Sequence, residues 1–337
     1  MTRKLFSKLI ALVAGIVLTI VAYNHNQTSI YQINGQAYGT SWSVVSSQYI
    51  GDHHKNNIIN IINNIDFVAS NYKNNSEISI INNSPLNKIS ISNDLYKILK
   101  VAKYVENNSD GFYNIMMAKK SGEFGFSPDF GNKNIQLNTS TFRIDNNEKI
   151  LYKNSSNWFD LSSVAKGYAV QVIHEYLINN DLINHMIDIG GEVIINGTKH
   201  GDSWNIGIQD PSVIQNKAIK VISNNNSKFL AIATSGEYRN FKIDDSGNRI
   251  SHTINPKTGF PIQTNVLSVS VVAKTCMEAD AWATALMALS YEDGLEIIDH
   301  FKNIGAVWLL KTSDDNRIIL KKGDFSITDP IFEIRSL

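Results

Sequence analysis

The order in which helical and strand-like segments follow one another constrains this fold more than any other feature of the chain. Apolar residues at helical spacing predict helices over 52–71, 92–107, 162–179 and 277–290. Alternating or continuous apolar runs predict strands over 30–50, 185–195, 204–209, 219–223, 229–234, 266–273 and 304–328. The helices do not alternate regularly with strands, as they would in a doubly wound parallel sheet. The sequence therefore predicts an α+β fold, with mixed or antiparallel sheets flanked by helices, in a single compact domain over residues 30–335.

Composition excludes several classes of protein. The chain has 337 residues, of which 43% are hydrophobic, enough for a substantial core. Lys plus Arg and Asp plus Glu number 31 each, so the formal net charge is zero, whereas a protein that binds nucleic acid normally carries a basic excess. We therefore expect no nucleic-acid partner. Cys276 is the only cysteine, which excludes an intrachain disulfide and a cysteine-based zinc cluster.

The N-terminal segment has the pattern of an export signal. Arg3, Lys4 and Lys8 precede an apolar run from Leu9 to Tyr23. A basic flank followed by such a run is typical of a signal peptide, and an uncleaved anchor with its basic flank in the cytoplasm is the alternative. Residues 1–24 are predicted to be one or the other, so the rest of the chain is expected to be exported. No cysteine follows the run, so a lipid anchor on cysteine is not expected.

The segment Met277–Leu286 suggests a metal site. On a helix, Asp280 and Thr284 are one turn apart, so their side chains lie on the same face. A carboxylate and a hydroxyl together are hard oxygen ligands that suit Mg²⁺. The alternative is structural, with Asp280 in the first helical turn, where the helix dipole favours it, and Thr284 in a packed face.

Two further segments carry residues with possible chemical roles. Asp160 or Ser162 can cap a helix that places Lys166 near its N-terminus, where the lysine can reach a phosphate or a hydroxyl; an ordinary capped helix is the alternative. His252 is followed by the turn-forming residues Asn255–Gly259, and a histidine held in such a loop can act as a general base.

Two other segments are less informative. The pair Gly190-Gly191 follows an apolar strand, and it allows the backbone to approach a ligand closely or simply forms a tight turn. Ser235 lacks the Gly-x-Ser-x-Gly context of a nucleophile elbow, which argues against a serine hydrolase.

Taken together, these segments resemble the ApbE family, the FAD:protein FMN transferases. The resemblance rests on Ser235–Phe241, Ser251–Gly259 and Glu278–Leu286, in that order, with Ala165–Ala169 and the glycine pair upstream. It runs from about Gly35 to the C-terminal strands. It implies that FAD is cleaved at its pyrophosphate, that FMN moves to a Thr or Ser hydroxyl of a target protein, and that AMP leaves.

The resemblance also implies roles for particular residues. Asp280 and Thr284 would hold Mg²⁺, with a further oxygen from the turn that begins at Ser163. His252 would be the base for the acceptor hydroxyl, and Lys166 would meet the ribityl or phosphate part of FAD. The remaining residues of the implied FAD pocket are Tyr38, Tyr72, Phe112, Tyr113, Asn114, Asp160 and Ile254.

The implied partner is an acceptor protein. The family suggests a subunit of a membrane-bound redox complex, modified at a Thr or Ser on the outer side of the membrane. With the N-terminal segment, this places the expected location in the periplasm, or in the inner membrane facing the periplasm if residues 1–24 remain as an anchor.

Some positions depart from the family pattern. Asn114 and Asn255 stand where Asp is common, Gln171 replaces another Asp, and Ala283 stands where some relatives offer a second carboxylate. An Asp-to-Asn change keeps the shape of a loop and removes a charge that a metal or a proton would sense. Two alternatives therefore stay open beside the transferase: an exported Mg²⁺-dependent FAD pyrophosphatase, and a non-catalytic flavin-binding module.

Overall fold

The structure is a computed structural model that describes residues 3–128, 142–154, 158–209, 218–224, 227–236, 241–243, 249–311, 317–323 and 325–328. The helices in these residues are α1 (Arg3–Thr28), α2 (Asp52–Ala69), α3 (Glu77–Asn83), α4 (Asn93–Asn108), α5 (Ala118–Glu123), α6 (Ala165–Ile178), α7 (Cys276–Met287) and α8 (Tyr291–Asp299). The strands are β1 (Tyr31–Ala37), β2 (Thr40–Ser46), β3 (Lys88–Ser90), β4 (Phe142–Asp145), β5 (Ile150–Lys153), β6 (His185–Ile189), β7 (Glu192–Gly197), β8 (Asn205–Gln209), β9 (Ala218–Ser223), β10 (Ser227–Gly236), β11 (Phe241–Ile243), β12 (Arg249–Ser251), β13 (Val266–Ala273), β14 (Gly305–Lys311), β15 (Arg317–Lys322) and β16 (Ser326–Thr328).

One large sheet organises these elements. Its strand order is β1-β2-β6-β7-β10-β13-β14-β15, and every neighbouring pair is antiparallel. Smaller sheets have the orders β3-β5-β4, β16-β9-β8 and β11-β12. Helix α7 packs on β10 and β13, and α6 packs on β6 and β7. The predicted α+β class with antiparallel sheets is confirmed.

Both faces of the large sheet are buried, because it has a different neighbour on each side. In β7, Ile194 belongs to the core under the helices, whereas Val193 and Ile195 belong to a second apolar cluster. That second cluster also contains Ile208 of β8 and Ile222 of β9. Successive side chains of a strand point to opposite faces, so a strand between two cores carries a continuous apolar run rather than an alternating one.

Several predicted boundaries are wrong in informative ways. The predicted strand 185–195 is two strands, β6 and β7, joined at the glycine pair, where Gly191 N donates to Asp188 Oδ1 at 2.9 Å. Helix α8 follows α7 as a separate helix, and Ser290 caps it by accepting from Asp293 N at 3.1 Å. The short helices α3 and α5 were also not predicted.

The starts of helices α6 and α7 also differ from the prediction. Helix α6 begins at Ala165 and has no side-chain cap, so neither Asp160 nor Ser162 caps it. The Asp160 carboxylate instead accepts from Ser162 N at 2.9 Å. Helix α7 begins at Cys276, so Asp280 lies in its second turn and not in its first.

The N-terminal segment forms helix α1. Large apolar side chains along it are exposed, from Leu9 to Val21. Among the residues that the structure describes, no helix has the length and apolar character required to cross a membrane.

Helices α6 and α7 approach each other closely at Gly167. A Cβ atom at this position would lie 2.5 Å from the carbonyl oxygen of Cys276 and 2.8 Å from the Cβ of Asp280. The backbone N–H of Gly167 donates to Asp280 Oδ2 at 2.9 Å. Because Gly167 has no side chain, the buried Asp280 carboxylate of α7 can reach the first turn of α6.

Replacing this glycine should separate the two helices. We expect Gly167→Ala to lower the free energy of unfolding by about 2 kcal/mol, because the added methyl group would collide with the α7 backbone at Cys276. Urea unfolding followed by circular dichroism measures the effect. Gly294→Ala in α8 is the matched control, since its Cβ would lie 3.3 Å from a side-chain atom, Leu286 Cδ2, and not against backbone. We expect the control to stay within about 1 kcal/mol of the unsubstituted protein, because alanine also favours the helix. Equal effects of the two substitutions would contradict this account.

Candidate active site

Lys166 lies at the centre of a charged cluster between α6, α7 and the start of β7. Its Nζ atom is 3.2 Å from Glu192 Oε1 and 3.8 Å from Asp280 Oδ1. It also donates to the carbonyl oxygen of Ser162 at 3.3 Å. Glu192 and Asp280 are both buried, with 3% and 2% of their surface exposed. Two buried carboxylates therefore share one ammonium group, and the Lys166 side chain is itself 26% exposed.

The electrostatics of the cluster follow from this burial. Desolvation by burial lowers the pKa of Lys166, but the charges of Asp280 and Glu192 outweigh it and raise that pKa above its ordinary value. Desolvation raises the pKa of Asp280, and the Lys166 ammonium and the Gly167 N–H act against that rise. Lys166 is thus protonated at neutral pH, and it favours the ionised form of its neighbours.

Of the predicted metal ligands, Asp280 belongs to this cluster, and Thr284 follows it on the same helix, α7. Asp280 is buried and Thr284, one helical turn further along α7, is half-buried. The turn before α6 supplies backbone oxygens close by, because the Lys166 ammonium reaches both Ser162 O and Asp280 Oδ1. A carboxylate, a hydroxyl and a carbonyl fit the oxygen preference of Mg²⁺, which usually completes its shell with water or phosphate. In the described part of the chain, no three His, Cys, Asp or Glu side chains form a metal-binding group, so a cation here would depend on neutral oxygens as well.

The segment Phe112–Asn114 reaches the same region. Tyr113 is buried, and its hydroxyl lies 3.1 Å from Ser163 Oγ in the turn before α6. Burial raises the pKa of Tyr113, so the phenol stays neutral and can act as a hydrogen-bond donor. The backbone N–H of Asp160 donates to Ile115 O at 2.6 Å, which holds the two segments side by side.

The two Asn residues that replace Asp act as backbone acceptors. Asn114 Oδ1 accepts from Met116 N at 2.7 Å, and Asn255 Oδ1 accepts from Lys257 N at 2.9 Å. An Asp carboxylate could make the same hydrogen bonds. The departures therefore preserve both turns and remove only the negative charge.

Sequence reasoning missed the segment Phe124–Ser127, which joins three predicted site residues. The ring of Phe126 lies 6.2 Å from the His252 ring, at an interplanar angle of 68°. The Tyr72 hydroxyl donates to the carbonyl oxygen of Phe126 at 3.3 Å. Ser127 Oγ donates to Asp160 Oδ2 at 2.6 Å. The signal available in the sequence was a Phe-Gly-Phe triplet in an otherwise polar stretch. In the structure, Gly125 has a φ of +75°, which allows a tight turn between the two aromatic side chains.

His252 and Ile254 belong to one hairpin. His252 is half-buried directly after β12, and Ile254 is buried and pairs with Pro261. The backbone N–H of Ile262 donates to Thr253 O at 3.0 Å. The hairpin thus fixes the path of the chain after His252. Residues 237–240, the centre of the Ser235–Phe241 motif, lie outside the described residues.

Tyr38 and Tyr72 are placed differently from each other. Tyr38 has a φ of +53° in the turn between β1 and β2, and its hydroxyl donates to Ile62 O of α2 at 2.7 Å. Burial raises the pKa of its phenol. Tyr72 is 74% exposed beside Phe126. Tyr72 is therefore accessible to a large ligand, whereas the Tyr38 hydroxyl is engaged with the protein.

Solved structures of known proteins share this fold. The structure resembles that of the flavin transferase ApbE from Vibrio cholerae, with a TM-score of 0.75 and 27% identity over 87% of this chain and 97% of that one. The ApbE protein from Thermotoga maritima gives a TM-score of 0.74 and 25% identity over 86% of this chain and 96% of that one.

Sequence comparison agrees. Two relatives are each named FAD:protein FMN transferase. The one from Haemophilus influenzae is 29% identical over 96% of this chain and 97% of its own length. The one from Vibrio cholerae is 30% identical over 90% of this chain and 94% of its own length. The sequence profile of the ApbE family matches residues 38–308. The chain belongs to the ApbE family.

Removing the central ammonium should destabilise the fold. Lys166→Met leaves Asp280 and Glu192 buried without their shared cation, and we expect the free energy of unfolding to fall by about 3 kcal/mol at pH 7. The deficit should shrink towards pH 5, because the folded variant would hold these carboxyl groups at raised pKa values and take up protons as the pH falls. Urea unfolding at the two pH values tests both statements.

A second lysine gives the comparison. Lys73 pairs with Asp66 at 2.5 Å and its side chain is 45% exposed. Lys73→Met should change the free energy of unfolding by less than about 1 kcal/mol. If Lys166→Met behaved like this control at both pH values, the cluster would have no structural role.

Proposed function

We propose that this protein transfers FMN from FAD to a Thr or Ser hydroxyl of an acceptor protein and releases AMP. The observation that carries the proposal is the contact between Tyr113 and Ser163, which brings the segment Phe112–Asn114 to the cluster of Lys166 and Asp280. The names of the relatives support the same reaction.

The reaction needs a base, a fixed positive charge and a bound dinucleotide. The hydroxyl oxygen of the acceptor attacks the phosphorus of the FMN half, the bond from that phosphorus to the bridging oxygen breaks, and AMP leaves with that oxygen. His252 would take the hydroxyl proton, because a half-buried imidazole held beside Phe126 can accept it near neutral pH. Lys166 would place its positive charge towards the diphosphate or the ribityl chain, where a preorganised charge lowers the barrier.

Mg²⁺ belongs to the proposal as well. Asp280, Thr284 and an oxygen of the turn 163–165 would hold it. When bound, it would supply positive charge against the diphosphate of FAD. The buried position of Asp280 and its hydrogen bond from Gly167 would fix one ligand before the metal arrives.

The FAD pocket would extend from the proposed metal site to the exposed side chain of Tyr72. Phe112, Tyr113 and Asn114 would form one wall and Ile254 would add apolar surface from the hairpin. The exposed ring of Tyr72 offers a surface for stacking. Asp160 would accept a hydrogen bond from the adenine or ribose side of FAD, and Tyr38 would contribute through its ring.

We also propose that the protein is exported and acts on a subunit of a membrane redox complex in the periplasm. The basic flank and apolar run of residues 1–24 support this, as either a signal peptide or an anchor. Cell fractionation with N-terminal sequencing of the mature protein distinguishes the two forms, and recovery of the intact chain only in the cytosol would contradict export.

The full chain should label an acceptor protein in the presence of FAD and Mg²⁺. We expect flavin fluorescence on the denatured acceptor and an equal amount of AMP. Candidate acceptors are periplasmic redox-complex subunits, each compared with a variant whose Thr or Ser is replaced by Ala. AMP with free FMN and no labelled acceptor in any of them would favour the pyrophosphatase. Bound FAD with neither product would favour the binding module.

Loss of the base should affect transfer and spare binding. We expect His252→Ala to slow flavin transfer by about 100-fold or more, because general-base catalysis contributes this much. The FAD dissociation constant, measured by flavin fluorescence, should change by less than about twofold. His53→Ala is the control, because His53 is exposed on α2 and should leave both quantities unchanged. Loss of FAD binding in His252→Ala would make His252 a structural residue, and an unchanged rate would exclude it as the base.

A further inference from the structure

We propose that Lys257 is a positioning residue that holds the FAD-binding segment against the hairpin of His252 and so pre-forms the FAD site. Its Nζ atom lies 2.7 Å from Asp110 Oδ2 and 4.0 Å from the centre of the Phe112 ring. Neither Lys257 nor Asp110 has a role in the reaction proposed above. The inference rests on that proposed function, because it concerns how FAD is bound.

The hairpin presents Lys257 from a well-defined turn. The backbone N–H of Gly259 donates to Asn255 O at 2.8 Å, and Asn255 N donates to Phe260 O at 2.9 Å. The Asn255 side chain accepts from the backbone N–H of Lys257 itself at 2.9 Å. These bonds fix the backbone at the tip, so the lysine side chain is directed from a constrained position.

The other partner is equally constrained. Asp110 and Gly111 have φ values of +51° and +75°, so two consecutive left-handed residues reverse the chain directly after α4. Phe112 N donates to Ser109 O at 3.0 Å, and Tyr113 N donates to Ser109 Oγ at 3.1 Å. The reversal places the Asp110 carboxylate and the Phe112 ring around the same ammonium group.

This contact is suited to fixing a local arrangement and not to stabilising the whole fold. The Lys257 side chain is 45% exposed and that of Asp110 is 77% exposed, and exposed ion pairs add little to global stability. The ammonium over the Phe112 ring adds a directional preference. Phe112 is thus tied to the hairpin on one side, and through Tyr113 and Ser163 to the turn before α6 on the other.

The expected consequence is on FAD affinity. When only a fraction of molecules has the binding-competent arrangement, the apparent dissociation constant rises in inverse proportion to that fraction. Without Lys257, a smaller fraction of molecules would hold the Asp110 carboxylate and the Phe112 ring against the hairpin before FAD binds. Once FAD is bound, the reacting groups are unchanged, so turnover at saturating FAD should persist.

Lys257→Met in the full chain tests whether losing this contact weakens FAD binding without changing turnover at saturating FAD. We expect the dissociation constant of FAD, measured by flavin fluorescence, and the KM for FAD in AMP release to rise about fivefold, with kcat within about twofold of the unsubstituted protein. Lys257→Arg keeps the charge and can stack on Phe112, so it should restore both constants. Lys88→Met is the matched control, because Lys88 lies 5.8 Å from the Tyr152 ring in the sheet β3-β5-β4, and it should change neither.

A double substitution completes the test. Asp110→Asn alone should raise the dissociation constant, and combining it with Lys257→Met should give less than the product of the two effects, since both remove one contact. High salt should shrink the difference between Lys257→Met and the unsubstituted protein, because it screens the exposed pair.

Two results would overturn the inference: an unchanged FAD dissociation constant in Lys257→Met, or a rise that Lys257→Arg does not reverse. Failure of the proposed function is recognised separately, because the unsubstituted protein would then bind FAD without transferring FMN. In that case the dissociation constants would still decide the role of Lys257.

Discussion

The close approach of α6 and α7 at Gly167 is the constraint on which the rest of the site depends. Because no side chain separates the helices there, the Asp280 carboxylate can accept a hydrogen bond from the backbone N–H of Gly167 at 2.9 Å. The same approach places Lys166, one residue earlier, beside Asp280 and Glu192. A larger residue at the crossing would move the carboxylate that the proposed metal needs.

The contacts are strongest at the centre of the site, around Lys166, and weakest at its solvent-exposed edge, which we call the rim. At the centre, Lys166 is protonated between buried carboxylates, and breaking such an arrangement is costly. At the rim, Tyr72 and Lys257 are exposed, and their contacts are individually weak. A rigid centre with an adjustable rim suits a site that must admit a dinucleotide and then a protein hydroxyl. Asn114 and Asn255 are half-buried and act through backbone hydrogen bonds, which do not need the charge of Asp.

Part of this site could be predicted from the sequence, and part could not. The one-turn spacing of Asp280 and Thr284 and the position of Lys166 near the start of a helix follow from helical periodicity. The role of Glu192 was missed because its contact with Lys166 joins residues of different elements. Phe126 was missed for the same reason. Helix α8 was missed although Ser290 and Asp293 form a cap that local reasoning can recognise.

The sequence by itself determined the class of fold, the order of its motifs and the spacing of groups on single helices, because these depend on residues within a few turns of one another. The tertiary structure decided which of those groups meet. Strands β2 and β6 are neighbours in the large sheet, as are β7 and β10, although other elements separate them in the chain. That order brings Glu192 to Lys166, and the packing at Gly167 brings Asp280 to both. Such contacts depend on long-range packing, which local sequence periodicity does not encode.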